Sequence, residues 1–165
     1  MAHEVLLQKT VETMRPLAQR AGITITVTRE EPVPSALLAV DRRLLTRALE
    51  NLLDNAIRYI PQGGSIDITW LRKLERFEFI IADTGSGIAP QDLPYVFQPL
   101  HRGETSRNRQ TGGSGLGLTI ARQILQAHGG DLSVTNKHGG GAAFLGFLNA
   151  YSPRRRTPRS KPNPP

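Results

Sequence analysis

Apolar residues recur at helical spacing between residues 49 and 57, the most regular pattern in the chain. They lie at positions i, i+3, i+4, i+7 and i+8, which predicts a helix with one buried stripe. The stripe consists of Leu49, Leu52, Leu53, Ala56 and Ile57. Asp41 precedes this helix and is a suitable N-cap, because its carboxylate can accept hydrogen bonds from the first unpaired backbone N–H groups.

The other hydrophobic patterns predict further helices and a set of short strands. We expect helices over 4–20 and 116–127 and a short one over 92–96. Gly22 should end the first, and Pro16 should kink it or shift its end. Strands are predicted over 23–28, 37–40, 65–72, 77–83, 132–134 and 142–148. Helices interspersed with strands that tight turns connect predict an α+β fold, a two-layer α/β sandwich.

A polar stripe runs beside the apolar one on the central helix, formed by Asn51, Asn55, Arg58 and Tyr59. Asn is unfavourable inside a helix because its side chain competes for backbone hydrogen bonds. An amide oxygen is a hard ligand suited to Mg²⁺, an Arg suits phosphate, and an aromatic ring can stack on a base. The alternative is a solvated face on which two Asn residues are incidental.

A first glycine cluster, Asp83-Thr84-Gly85-Ser86-Gly87, directly follows the apolar strand 79–82. Glycines allow a ligand to approach the backbone, and an ionised carboxylate can accept a hydrogen bond from an exocyclic amine such as that of adenine. The alternative is a plain turn that contains an Asp.

A second cluster, Gly112-Gly113-Ser114-Gly115-Leu116-Gly117-Leu118, lies where a loop meets the helix 116–127. Its backbone N–H groups are suited to a phosphate at the helix N-terminus. It is neither a P-loop nor a dinucleotide fingerprint, since neither spacing occurs.

Residues 98–113 lack a periodic apolar pattern and are predicted to form a long, mobile loop. Gly139-Gly140-Gly141 is most simply a hairpin turn.

Length and composition indicate one soluble globular domain in 165 residues, with 38% hydrophobic and 21% charged residues. No apolar run approaches the roughly 20 residues that span a bilayer, and we expect no signal peptide. The absence of cysteine excludes disulfides and thiolate metal sites and fits a reducing compartment.

The net charge of +7 is concentrated at the C-terminus, where 151–165 holds five basic and no acidic residues. This Pro- and Arg-rich stretch cannot bury a core, so we predict a domain over 1–150 and a disordered basic tail over 151–165. The remaining charge is small, and a specific nucleic-acid partner is therefore not expected.

Taken in order, five stretches resemble the N, G1, F, G2 and G3 boxes of sensor histidine kinases, and most closely the osmosensor (EnvZ-like) type. They are Asn51-x-x-x-Asn55-Ala56-x-Arg58-Tyr59, Asp83-x-Gly85-x-Gly87-Ile88, Phe97-x-Pro99-x-x-Arg102-Gly103, Gly113-x-Gly115-Leu116-Gly117-Leu118 and Gly139–Gly141. The resemblance covers residues 4–150. It implies a Bergerat ATP-binding fold, whose mixed, mostly antiparallel sheet is covered on one face by helices.

The resemblance also implies roles for individual residues, with ATP and Mg²⁺ as cofactors. Asn55 would hold Mg²⁺, Asn51 would lie near the phosphates and Arg58 would meet phosphate. Tyr59 would flank the adenine, and Asp83 would accept from its amine. The other predicted nucleotide-binding residues are Gly85, Gly87, Ile88, Arg102, Gly113, Ser114, Gly115, Leu116, Gly117 and Leu118. Residues 98–113 would form a lid, ordered by nucleotide, with Arg102, Arg107 and Arg109 as its cations.

Three residues depart from the family pattern. Leu100 stands where a second Phe is usual, Ala142 where many relatives have Thr, and Ile60 where a small hydroxyl residue is usual. We expect none of them to touch the metal or the adenine carboxylate, and hence an altered affinity at most.

A histidine kinase also needs a phosphoacceptor His on a helical hairpin, which this sequence does not supply. His3-Glu4 is followed by Val5 rather than by the usual motif, and it lies too close to Asn55 for a hairpin to intervene. His128 is expected to favour a helix C-terminus. Asn51 has no basic carboxylate, so little ATP hydrolysis is expected. The predicted partners are therefore a separate phosphoacceptor hairpin and a response regulator.

The interpretation that follows is the cytoplasmic catalytic domain of an inner-membrane sensor, linked to the membrane only through segments that this sequence lacks. Two alternatives have the same fold, namely a serine kinase of the anti-sigma type and a module that binds ATP without transferring phosphate. A third is a basic nucleic-acid binder, which only the tail supports.

Overall fold

A computed structural model describes residues 3–30, 40–73, 76–99 and 116–149 of the chain. Their helices are α1 (His3–Arg20), α2 (Arg42–Tyr59), a single 3₁₀ turn (Leu93–Tyr95) and α3 (Gly117–Ala127). The strands are β1 (Thr24–Arg29), β2 (Ser65–Lys73), β3 (Arg76–Asp83), β4 (Asp131–Asn136) and β5 (Ala142–Asn149).

The five strands form one mixed sheet in the order β1-β2-β3-β5-β4. Only β1 and β2 are parallel, with Ile25 opposite Ile66, because α2 carries the chain across between them. The other three pairs are antiparallel. The predicted α+β class with a mostly antiparallel sheet is confirmed.

Alternation along the strands places the core on one face of the sheet. On β3, Phe77, Phe79 and Ile81 are buried, whereas the residues between them are only partly so. The register puts Ile81 opposite Ile68 on β2 and Phe144 on β5, so that one continuous apolar surface faces the helices. The predicted two-layer arrangement, with helices on one face, is therefore confirmed for the described residues.

The central helix α2 buries the predicted stripe and begins as predicted. Asp41 Oδ1 accepts from the backbone nitrogens of Arg43 at 2.9 Å and Leu44 at 3.3 Å, which caps its N-terminus. All five stripe residues are buried, and α1 and α3 pack against α2. No helix of the described ranges is long and apolar enough to cross a membrane.

The C-terminus of α3 is joined to the start of α2 by His128. Its Nδ1 lies 2.7 Å from the carbonyl oxygen of Ile124, and its Nε2 accepts from the backbone nitrogen of Asp41 at 3.1 Å. In this arrangement Nδ1 acts as the donor and Nε2 as the acceptor. His128 is the C-cap residue of α3, so its expected place at a helix C-terminus is confirmed.

Several other predicted elements differ from the structure in their bounds or type. The first strand starts at Thr24, one residue later than predicted, and α1 continues past Pro16 to Arg20, so the helix end is not shifted. The short helix predicted over 92–96 is the 3₁₀ turn. Residues 37–39 of the predicted strand 37–40 lie outside the described residues, and Val40 belongs to no strand. The basic tail also lies outside them.

Replacing Leu52 by Ala should lower the free energy of unfolding by about 3 kcal/mol, because Leu52 is only 1% exposed and its removal leaves a cavity. Urea unfolding followed by circular dichroism measures this change. Leu44→Ala, at a position of the same helix that is 38% exposed, is the matched control and should cost much less. Equal losses for the two variants would contradict the core assignment.

Candidate functional site

Asp83, the last residue of β3, is almost entirely buried. Its Oδ1 accepts two backbone hydrogen bonds, from Gly85 at 2.9 Å and from Ala142 at 3.2 Å. Within the described residues, Oδ2 accepts no hydrogen bond. The protein therefore fixes the orientation of this carboxylate through one oxygen and leaves the other available to a ligand donor.

The contact with Ala142 corrects one expectation. Ala142 does touch the predicted adenine carboxylate, through its backbone N–H rather than its side chain. Any residue other than Pro can make this bond, so the replacement of the usual Thr by Ala keeps it. Ile60 is buried beneath the same loop, 3.7 Å from where a Cβ on Gly85 would lie. Leu100, the third departure, lies outside the described residues.

Gly85 brings the Asp83 turn against the end of α2. A Cβ at Gly85 would lie 3.1 Å from Asp83 Oδ1 and 3.5 Å from the carbonyl oxygen of Tyr59. A side chain at this position would therefore crowd Asp83 Oδ1 and contact the carbonyl oxygen of Tyr59. The backbone at Tyr59, the last residue of α2, thus lies close to the loop that follows Asp83, and the Tyr59 side chain is half-buried.

Asn51 faces the first turn of α3. A Cβ on Gly117 would lie 3.8 Å from both Cβ and Cγ of Asn51. The Nδ2 atom of Asn51 is buried and has no hydrogen-bond partner among the described residues. An unpaired buried amide is costly, so this arrangement fits a site where a polar ligand supplies the missing acceptor.

The N-terminus of α3 is also suited to an anion. Gly117 begins the helix after Leu116, and no side chain of the described residues caps its first turn. Leu118, predicted to bind nucleotide, packs against the core. The predicted site residues Arg102, Arg107, Gly113, Ser114 and Gly115, and nearly all of the predicted lid, lie outside the described residues.

Asn55 lies one turn after Asn51 on α2. It is half-buried, and its amide makes no hydrogen bond within the described residues. A neutral amide oxygen in this position fits one ligand of a Mg²⁺ ion that takes its other ligands from phosphate and water.

Arg58, by contrast, is already paired. Its Nε lies 2.8 Å from Asp54 Oδ2, and both side chains are more than a third exposed. A contact with phosphate would require Arg58 to leave this ion pair or to share it. Its assignment to phosphate stays a prediction.

Sequence reasoning missed two residues at the β4–β5 turn that hold the Asp83 loop. The side-chain amide of Asn136 bonds both backbone groups of Ile88, and Lys137 Nζ donates to the carbonyl oxygen of Asp83 at 3.1 Å. The turn itself is as predicted, with positive φ at Gly139, Gly140 and Gly141. The one sequence signal that could have identified Asn136 is its position just before this glycine turn.

Sequence reasoning also missed how α3 holds Phe97. Thr119 Oγ1 donates to the carbonyl oxygen of Phe97 at 2.7 Å, and the guanidinium of Arg122 lies 5.0 Å from the Phe97 ring centroid. Phe144 packs edge-on against the same ring. The aromatic residue of the predicted motif is therefore anchored to both the helix and the sheet.

Arg122 is in turn paired with Asp131, at 2.9 Å between Nε and Oδ1. The hydrogen bond from Arg122 lowers the pKa of Asp131 below its ordinary value of 3.8, with a further contribution from the backbone N–H of Leu132. The hydrogen bond from Asp131 correspondingly raises the pKa of Arg122.

The lowered pKa of Asp131 predicts a small stabilisation that is lost in acid. Because the pKa is lower in the folded state, the stabilisation is complete above 3.8 and disappears as the pH falls through the folded-state value. Asp131→Asn should cost under about 1 kcal/mol at pH 7, since the pair is partly exposed. Thermal unfolding of both proteins at pH 7 and pH 3 measures this difference. A difference that grows in acid would contradict the assignment.

Comparison with known proteins identifies the family of this chain. Residues 40–151 match the family described as histidine kinase-, DNA gyrase B-, and HSP90-like ATPase. The sensor-like histidine kinase SenX3 of Mycobacterium tuberculosis is 36% identical over 148 residues, which are 89% of this chain and 35% of SenX3. The sensor protein RstB of Escherichia coli is 42% identical over 106 residues, 64% of this chain and 24% of RstB. The chain thus spans about a third or less of the length of these relatives.

Solved structures of histidine kinases are also similar to this chain. The mycobacterial sensor histidine kinase MprB has a TM-score of 0.78 and 30% identity, over 90% of this chain and 96% of that one. Full-length ShkA, solved in complex with AMPPNP, has a TM-score of 0.75 and 31% identity, over 92% of this chain and 31% of ShkA. The resemblance to sensor histidine kinases is confirmed, and the chain belongs to the histidine kinase-, DNA gyrase B-, and HSP90-like ATPase family.

Proposed function

We propose that this chain binds ATP with Mg²⁺ and donates the γ-phosphoryl group to a histidine on a separate phosphoacceptor hairpin, as a step of two-component signal transduction. The observation that carries the proposal is Asp83, a buried carboxylate with one oxygen held by two backbone N–H groups and the other unpaired within the described residues. Such a group is suited to accept a hydrogen bond from the adenine amine.

The remaining residues around Asp83 fit the other parts of the nucleotide. The end of α2 at Tyr59 approaches the loop that follows Asp83, which supports a role for the Tyr59 ring in flanking the base. Asn51, whose buried Nδ2 has no partner among the described residues, faces the first turn of α3, where phosphates would meet backbone N–H groups.

Asn55 would hold Mg²⁺, which when bound screens the phosphate charges during transfer. At Asn51 the chain has an amide rather than a carboxylate, so no side chain there can take a proton from water. We therefore expect ATP to be held with little turnover until an acceptor histidine is presented.

The similarity to sensor proteins supports the proposed partners and location. SenX3 and RstB are a sensor-like histidine kinase and a sensor protein, and this chain matches only part of each. We propose a cytoplasmic location, a response regulator as the downstream acceptor, and attachment to a membrane sensor through segments outside this sequence. No specific nucleic acid is proposed.

Incubation with γ-labelled ATP and Mg²⁺ tests the proposal. The chain alone should release phosphate slowly and label none of its four histidines. Addition of a purified phosphoacceptor hairpin from a sensor histidine kinase should yield labelled hairpin. The matched control is the same hairpin with its acceptor His replaced by Gln.

The chemistry of the labelled product separates the alternatives. Phosphohistidine is lost in acid, whereas phosphoserine survives, so acid-stable label would favour the serine kinase. Tight ATP binding with no transfer to hairpins from several relatives would favour a regulatory module. Rapid phosphate release, or label on the chain itself, would contradict a separate catalytic domain.

A further inference from the structure

We propose that Asn136 is a positioning residue for adenine recognition, which it serves by holding the loop that follows Asp83. The inference rests on the proposed function, because it assigns Asp83 to the base. Base selectivity would then depend also on Asn136, at the end of β4. Asn136 is 48 residues away in the chain from Ile88, the loop residue that it contacts.

Asn136 is the last residue of β4, and its side-chain amide reaches across to Ile88. Oδ1 accepts from the backbone nitrogen of Ile88 at 2.8 Å, and Nδ2 donates to the carbonyl oxygen of Ile88 at 2.7 Å. Both backbone groups of one loop residue are thus bonded by a single side chain. The amide supplies the pairing that a neighbouring strand would give, at a place where β3 has already ended at Asp83.

Gly87 fits against the same amide. Its φ is +76°, a conformation that favours glycine, and a Cβ there would lie 2.8 Å from Asn136 Oδ1. A side chain at Gly87 would therefore be strained and would push the Asn136 amide away from its hydrogen bonds with Ile88. Glycine at this position lets the loop lie directly against that amide.

The other end of the loop is held from the same turn. Lys137 Nζ donates to the carbonyl oxygen of Asp83 at 3.1 Å, and the backbone nitrogen of Lys137 donates to the carbonyl oxygen of Gly141 at 2.8 Å. A side chain on Gly141 would collide with that Asp83 carbonyl. The segment from Asp83 to Ile88 is thus held at both ends by the β4–β5 turn, and Asn136 is its anchor at the far end.

This arrangement predicts how removal of the Asn136 side chain changes nucleotide affinity. When the amide of Asn136 is removed, the loop loses two hydrogen bonds, and Oδ2 of Asp83, which accepts no hydrogen bond from the described residues, is held less firmly where a base amine would meet it. Binding should fall for a base that has the amine and change little for a base that lacks it. A side chain that only stabilises the fold would affect both ligands equally.

The test compares ADP with purine riboside 5′-diphosphate, which lacks the 6-amino group, by isothermal titration to the full chain. Asn136→Ala should weaken ADP binding about tenfold, as expected for the loss of neutral hydrogen bonds, and weaken the analogue less than about twofold. Thr135→Ala, at the exposed neighbouring position, is the matched control and should change neither value. Equal losses for both ligands, or no loss for ADP, would overturn the inference.

A double-mutant cycle shows whether Asn136 acts through Asp83. In the Asp83→Asn background, Asn136→Ala should cost less than about twofold in ADP affinity, because the recognising carboxylate is already gone. A full additional tenfold loss there would overturn the inference. If Asn136→Ala does not fold, Gly87→Ala perturbs the same contact from the loop side and should produce the same selective loss. An unchanged preference for ADP in Gly87→Ala would contradict the proposal.

Different binding results are expected if the proposed function itself is wrong. In that case the unmodified chain would not bind ADP, or Asp83→Asn would leave ADP affinity unchanged, and the inference would fall with it. If the unmodified chain prefers ADP, and Asp83→Asn removes that preference while Asn136→Ala does not, only the role of Asn136 is wrong.

Discussion

Replacement of Asp83 by Asn is expected to weaken ATP binding about 30- to 150-fold, which corresponds to about 2–3 kcal/mol. The fold should survive, because the side-chain oxygen of Asn can still accept from the backbone nitrogens of Gly85 and Ala142. The amide nitrogen would then replace Oδ2 and present a donor to the donor amine of adenine. The loss therefore combines an unmade charged hydrogen bond with an unfavourable pairing in a desolvated site.

Isothermal titration with ATP and Mg²⁺ measures this effect, and thermal unfolding checks that the variant is folded. Asp67→Asn is the matched control, since it removes the same charge from an exposed position on the adjoining strand β2. It should bind ATP as the unmodified chain does. Binding by Asp83→Asn within about threefold of the unmodified chain would show that Asp83 does not recognise the base.

Local patterns were sufficient to predict the elements that form this site. The period of Leu49, Leu52 and Leu53 specifies α2, since only a helix brings these residues to one side, and Asp41 marks its start. The burial of Asp83 follows from its place at the end of an alternating strand, because the register continues the inward side of β3.

Long-range pairing was not predictable in the same way. The bond from Ala142 to Asp83 comes from a backbone nitrogen, so no residue type at position 142 announces it. The link between Asn136 and Ile88 joins the end of β4 to a residue of a distant loop, and no sequence pattern relates the two positions. Such contacts depend on how strands are ordered in the sheet, here β5 between β3 and β4, which the pattern along a single strand does not specify.

Charge pairing on a helix was predictable but was overlooked. Asp54 and Arg58 lie four residues apart on α2, a spacing at which an acidic residue preceding a basic one forms an ion pair. The family resemblance assigns Arg58 to phosphate. The structure instead gives it a partner that a phosphate would have to displace or share, which makes Arg58 a weaker candidate than Asn51 or Asn55.

The largest expected effect is that of Asn55→Ala, which should reduce phosphoryl transfer to a supplied hairpin by more than about a hundredfold. Transfer depends on positioning and on stabilisation of charge rather than on covalent chemistry by the protein. Asn55 is a half-buried amide of α2 that makes no hydrogen bond within the described residues, so its oxygen is available to a Mg²⁺ ion. Base recognition by Asp83 lies on another element, at the end of β3, and should persist.

Two measurements separate loss of the metal ligand from loss of the site. ATP affinity without Mg²⁺ should match that of the unmodified chain within about threefold, whereas the gain in affinity on adding Mg²⁺ should disappear. Arg43→Ala, an exposed position in the first turn of the same helix, is the control and should keep both the gain and the transfer. If Asn55→Ala retains the Mg²⁺ dependence of ATP binding and still labels the hairpin, another group holds the metal. If it loses ATP binding with and without Mg²⁺ alike, Asn55 supports the pocket rather than the ion.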